Sequence, residues 1–147
     1  MKQDKAGVYI DAKKLRRCLH AAQFCMTKAD RIIYSTPALI ACGEIIGYFQ
    51  LAYDIPEYRE YYIHMFIKAF AVLRADIEEM FEMGIIRPSS TTAIVMNDHE
   101  KESVNGRQLL LCIIELLGKI DEGINKWRLS LKGGPRSAEF RPAAPKE

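Results

Sequence analysis

The stretch TPALIACGEIIGYFQLAY, Thr36–Tyr53, decides the fold, because almost every residue in it is apolar or small and only Glu44 and Gln50 carry strongly polar side chains. It reads as a helix buried on nearly all sides, and such a helix needs other helices around it. Pro37 suits the first helical position, where its missing N–H would have no intrahelical partner, and Ser35 or Thr36 suits the cap. Gly43 and Gly47 lie one turn apart on one face. Each costs about 1 kcal/mol relative to alanine, a cost that close approach of a neighbouring helix would offset. Glu44 is then a core acid, to be hydrogen-bonded by Tyr48, Tyr62 or a partner's backbone. A run of about 17 apolar residues is the lower limit for crossing a bilayer. A carboxylate near the bilayer centre costs about 2.5–3.5 kcal/mol, and no second span exists to shelter it. The reading is therefore a core helix with no membrane.

Working outward, residues 1–10 look like a loose leader, and helical spacing begins at Asp11. Leu15, Leu19, Ala22, Met26, Ala29 and Ile33 recur at alternating steps of four and three, which makes a first helix over about 11–34. Its other side carries Lys13, Arg17, His20, Phe24, Lys28 and Arg31, flanked by Lys14 and Arg16. Such a stripe reads either as a solvated face or as a binding face. For binding speak the single sign of its charge and the aromatic ring within it, since a basic surface attracts polyanions by releasing their counterions.

The second helix spans 36–53 and the third starts at Pro56 and runs to Met83, about 40 Å at about 1.5 Å per residue. Tyr58, Tyr62, Met65, Phe66, Ala69, Leu73, Ile77 and Met80 form its buried side, and Gly84 is placed to take a left-handed conformation so that Ile85 folds back on the last turn. The acids Asp76, Glu78, Glu79 and Glu82 crowd its end, where the helix dipole is also negative. Residues 87–102 break periodicity and read as the longest loop, in which Ala93-Ile94-Val95-Met96 could dock on a neighbour. The fourth helix, about 103–131, has Leu110, Ile113, Leu117, Ile120, Ile124, Trp127 and Leu131 in one stripe, widened by Leu109, Cys112 and Leu116. Trp127 reads as core. The remaining residues, 133–147, are rich in proline and basic, and read as disordered.

At 147 residues with 49% apolar content, this is one domain with a core sufficient to fold unaided. Cys18, Cys25, Cys42 and Cys112 form no C-x-x-C pair and fall in helical, mostly apolar patterns, so they read as buried reduced thiols of a cytoplasmic protein. The N-terminus lacks a signal peptide's apolar segment. The net charge of +2 hides an uneven distribution. Eight basic residues face three acids before Thr36, five face eleven from Thr36 to Ser103, and eight face five after it.

No arrangement of catalytic, cofactor or metal-binding residues emerges. Bundle di-iron centres need Glu-x-x-His on two helices, and only His20, His64 and His99 exist, with Glu60 and His64 reading as a surface pair. No cysteine stands beside a histidine at a metal spacing.

The order of elements is a basic first helix, Ser-Thr-Pro with the small-residue helix ALIACGEIIGYF, a long helix ending EEMFEMGII, a loop, and a leucine-rich helix ending IDEGINKWRLSLKG. It resembles the four-helix-bundle family that includes the accessory variability determinant of diversity-generating retroelements and the proteins of 23S ribosomal RNA intervening sequences. The resemblance covers about Asp11 to Leu131 and lies in layout, since that family has no catalytic signature. It implies an all-α, antiparallel up-down bundle assembled as a ring-shaped homo-oligomer, commonly a pentamer. It further implies a non-enzymatic protein, without cofactors, whose basic surface contacts RNA or DNA and which engages a reverse transcriptase. The basic positions that fit are Lys13, Lys14, Arg16, Arg17, Lys28 and Arg31, with Lys126, Arg128 and Lys132 at the end of the fourth helix. Because Thr36–Tyr53 offers hardly any face suited to water, its outer side, with Gly43, Gly47 and Phe49, is expected to meet a neighbouring subunit. A sequence pI of 8.3 is only mildly basic, which gives a protein partner relatively more weight.

Overall fold

The computed structural model describes residues 2–95 and 100–132. Among them it has four long helices and a small antiparallel hairpin. The helices are α1 (Lys2–Ala22), α2 (Lys28–Asp54), α3 (Arg59–Glu82) and α4 (Gly106–Lys132). Val8 meets Gly123 and Cys18 meets Cys112, so α1 and α4 are antiparallel. Cys42 Sγ donates to the Ala12 carbonyl at 3.7 Å, Arg59 Nε to the Ala52 carbonyl at 3.0 Å, and Phe66 packs on Trp127. Each consecutive pair of helices is thus antiparallel, which makes an up-down bundle. The expected tail, 133–147, lies outside the described residues.

The core follows the apolar stripes. Leu15, Leu19, Ile45, Phe66, Leu73, Ile77, Met80, Leu109, Ile113 and Ile120 are wholly buried, each contributing about 1.5–3 kcal/mol where the side chain is large. At one end Trp127 stacks on Phe49 at 5.9 Å and meets the edge of Phe66 at 5.2 Å, with Tyr9 closing over Phe49 at 5.1 Å. Trp127 is a core residue, as expected.

The first helix departs from the sequence reading at both ends. It is helical from Lys2, where a loose leader was expected, and Val8 is buried against α4. It stops at Ala22 instead of running to residue 34. Gln23–Cys25 tighten into a single 3₁₀ turn, Met26 is extended, and Thr27 caps a new helix by accepting the Asp30 N–H at 3.1 Å. Ala29 and Ile33, expected on the seam, are exposed as a result.

The second helix begins at Lys28 and not at Thr36. Pro37, lacking an N–H, would leave a carbonyl of a regular α-helix without a partner, and the chain answers with a wide π turn over Arg31–Ser35. The Thr36 N–H reaches the Arg31 carbonyl, which also accepts from the Thr36 hydroxyl at 3.1 Å. Ser35 makes no capping bond.

Gly84 takes φ +64° and Ile85 is buried behind it, the expected stop to α3. The expected loop then holds two strands, β1 (Thr91–Val95) and β2 (Lys101–Asn105), paired from Thr91 with Asn105 to Val95 with Lys101. The bundle is therefore mostly helical and not all-α. The Arg87 N–H donates to the Cys25 carbonyl at 2.7 Å and ties the start of the hairpin segment to the turn after α1, and Ile94 enters the chain's own core. α4 opens at Gly106 with a reciprocal cap: the Gln108 N–H donates to Asn105 Oδ1 and the Asn105 N–H to Gln108 Oε1, both at 2.8 Å.

Candidate nucleic-acid interface

The residues singled out as basic lie on two ends and two flanks of the bundle. Lys13, Arg17 and His20 follow one another along α1, and at its end Phe24 stands 56% exposed. The break at Gln23–Thr27 folds the start of α2 back beside it. Arg31 lies over the Phe24 ring at 5.8 Å, His20 meets its edge at 6.2 Å, and Lys28 is exposed on the same turn of α2. Arg31 Nε is buried and makes no hydrogen bond. Further back, Lys13 lies over the Tyr9 ring at 5.0 Å.

Lys14 and Arg16 flank this stripe on opposite sides. The Lys14 charge reaches Cys112 of α4, while that of Arg16 reaches Cys42 of α2. Burial nonetheless pushes the Cys42 thiol up to about 12. Lys126 and Arg128 are exposed on α4 at the other end of the bundle. With Val8 level with Gly123, the helical rise places them on the order of 30 Å from Phe24. The Lys132 side chain lies outside the described residues.

The second candidate surface is the outer side of α2. The helix is not buried all round: Ile32, Ile33 and Ile40 are 65%, 60% and 61% exposed, and Gly43 and Leu51 continue the stripe. Glu44 is on this exposed side and is not a core acid. A Cβ added at Gly43 or Gly47 would meet nothing within 4 Å, so no helix of the same chain approaches them. Phe49 points the other way, into the aromatic cluster, and is a core residue of the single chain. By length and composition α2 could cross a membrane, a test that core helices of soluble proteins also pass.

Among the described residues no three His, Cys, Asp or Glu side chains could hold a metal ion. The cavity beside Trp127 and Arg59 is about 10 Å³, room for one water at most. A wider groove of about 300 Å³ lies between α3 and α4, floored by Ile67, Phe70 and Ile124. Arg74 bridges it to Asp121 and pairs with Glu78 at 3.1 Å, and Arg128 lies on its rim. No protein-family model matches the chain, and neither a curated protein nor a solved structure matches it.

Sequence reasoning placed Phe24, Lys28 and Arg31 on one side of a continuous helix and missed the turn at Gln23–Thr27, across which Arg31 lies over Phe24. The signal was present in Thr27-Lys28-Ala29-Asp30, a capping sequence inside the apolar repeat.

Proposed function

We propose that this chain is a non-enzymatic accessory protein of a diversity-generating retroelement, which joins template RNA to a reverse transcriptase and works in the cytoplasm as a ring-shaped homo-oligomer, commonly a pentamer in the family it resembles. The observation that carries the reading is the exposed Phe24 ring with Arg31 over its face and His20 at its edge, and with Arg17 and Lys28 exposed on the adjoining turns. Cations hold a phosphate backbone without regard to sequence, and a ring open to solvent offers a platform for an unpaired base. That pairing of groups favours single-stranded RNA over duplex. Arg16, Lys13 and Lys14 extend the positive surface along α1, and Lys126 and Arg128 lie too far away to join the same few nucleotides. The exposed stripe of α2, with Gly43 and Gly47, is the proposed contact between subunits.

The test is binding of single-stranded template RNA, followed by fluorescence anisotropy over a range of salt, together with sizing of a mixture with the cognate reverse transcriptase. Changing Lys13, Arg17, Lys28 and Arg31 together to Ala should weaken binding and flatten its salt dependence by about one slope unit per lost phosphate contact. Phe24→Ala should lose about 1–3 kcal/mol at unchanged salt slope. Unchanged binding in the fourfold variant would return this face to solvent, and failure of the chain to migrate with either RNA or enzyme would end the reading. A homo-oligomeric scaffold without nucleic acid is the second reading, favoured by the apolar stripe of α2, and it predicts assembly with no RNA binding at any salt.

A further inference from the structure

We propose that Cys18 and Cys112 form a redox-responsive pair, which a peroxide converts into a disulfide stapling α1 to α4. The two sulfurs are 3.4 Å apart, on facing helices and 94 positions apart in the chain. Both side chains already point at each other, so bond formation needs a closing movement of about 1.4 Å, within reach of rotation about the side-chain bonds, to the usual length of about 2.05 Å. The other two thiols differ in this respect. Cys25 Sγ is turned to the Ser90 carbonyl at 3.5 Å and Cys42 Sγ to the Ala12 carbonyl.

The pair is asymmetric in the way a sensing pair needs to be. Cys18 is wholly buried, whereas Cys112 is partly open to solvent and is the sulfur an oxidant can reach. The hydrogen bond shared with Cys18 pulls the Cys112 thiol down to about 7, with Lys14 and Lys119 helping and burial and Glu115 opposing. The same hydrogen bond, together with burial, pushes Cys18 well up. Asp11 lies near Lys14, Lys119 and Glu115.

The chemistry closes in two steps. The Cys112 thiolate attacks one peroxide oxygen, the O–O bond breaks, and Cys112 becomes a sulfenic acid while the leaving oxygen takes up a proton as water or an alcohol. Cys18 sulfur then attacks the Cys112 sulfur, the S–O bond breaks, the Cys18 proton leaves with the hydroxyl as water, and the disulfide forms. A dithiol reductant restores both thiols and itself becomes a disulfide. Closing so long a loop should raise the unfolding midpoint by about 10 °C for a chain of this size. Nothing in this depends on nucleic-acid binding.

The experiment takes the full reduced chain, treats it with hydrogen peroxide, alkylates remaining thiols under denaturing conditions and maps peptides without reduction. The expected product is one intrachain peptide pair joining Cys18 to Cys112, reversed by dithiothreitol, with Cys25 and Cys42 recovered alkylated and the unfolding midpoint raised. Cys18→Ala, which also removes the hydrogen bond that lowers the Cys112 thiol, should oxidise more slowly than the wild-type chain and leave Cys112 as a sulfenic acid that dimedone captures. Recovery of Cys18 and Cys112 alkylated, over-oxidation of Cys112 with Cys18 intact, or links to Cys25, Cys42 or a second chain would overturn the proposal. Mapping of the wild-type chain decides the matter even if the variant does not fold.

Discussion

Two isoleucines five residues apart on α2 should respond in opposite ways to truncation. Ile45 is wholly buried and Ile40 is 61% exposed in the single chain. Ile45→Ala removes a filled volume from the core and should cost about 2–5 kcal/mol of folding stability. At about 3 °C per kcal/mol for a chain of this length, the unfolding midpoint should drop by about 10 °C. Ile40→Ala should change the stability of the single chain by less than about 0.5 kcal/mol, because little is packed against that side chain. If a neighbouring subunit covers the remaining surface, the same truncation removes about 1–2 kcal/mol from each contact, about tenfold in its dissociation constant. Ile40→Glu, or Gly47→Glu on the same stripe, would strand a carboxylate inside the contact and should separate the subunits while the chain stays helical. Light scattering over a dilution series reads the assembly and circular dichroism reads the fold. An Ile40→Glu protein of unchanged mass, or an Ile40→Ala protein as destabilised as Ile45→Ala, would refute the reasoning.

Three further outcomes follow from local geometry. A side chain at Gly123 would overlap that of Val8, so Gly123→Leu should force α1 away from α4 and cost about 1–3 kcal/mol by thermal unfolding, with part recovered in combination with Val8→Ala. Asn105→Ala removes the cap of α4 and should cost about 1 kcal/mol, about 3 °C in the midpoint. Burial raises the Asp11 carboxyl above its ordinary 3.8, against the opposing charges of Lys119 and Lys14. The folded chain then holds that proton more tightly than the unfolded one, so stability falls as pH rises from about 3.8 through the folded-state value. Asp11→Asn should therefore unfold at a higher temperature than wild type at neutral pH and lose that advantage in acid, as read from melting curves across pH.

Much of the bundle was legible in the sequence because burial on a helix repeats every 3.6 residues. The stripe Ile113, Leu117, Ile120, Ile124 and Trp127 is buried as its spacing implied, as are Leu15, Leu19, Phe66, Leu73, Ile77 and Met80. The stop at Gly84 was equally local. Periodicity failed where the apolar repeat ran on through Ala29 and Ile33 while the backbone turned at Gln23–Thr27, since a repeat of side chains does not record a change of direction. It failed again at β1 and β2, because two short strands owe their existence to pairing across a connection. Arg31 lies over Phe24 across the first of these features. The glycines mark the boundary most clearly. Gly43, Gly47 and Gly123 are alike as helical glycines in sequence, yet only Gly123 faces another helix of the chain and the other two face outward. Cys18 and Cys112 likewise meet across 94 positions without any spacing to announce it. The sequence alone determined which side of each helix is apolar, through the turn of a single helix. Which helix that side meets, and at what height, was decided by tertiary packing, because that depends on the volumes and chain directions of segments far apart in sequence.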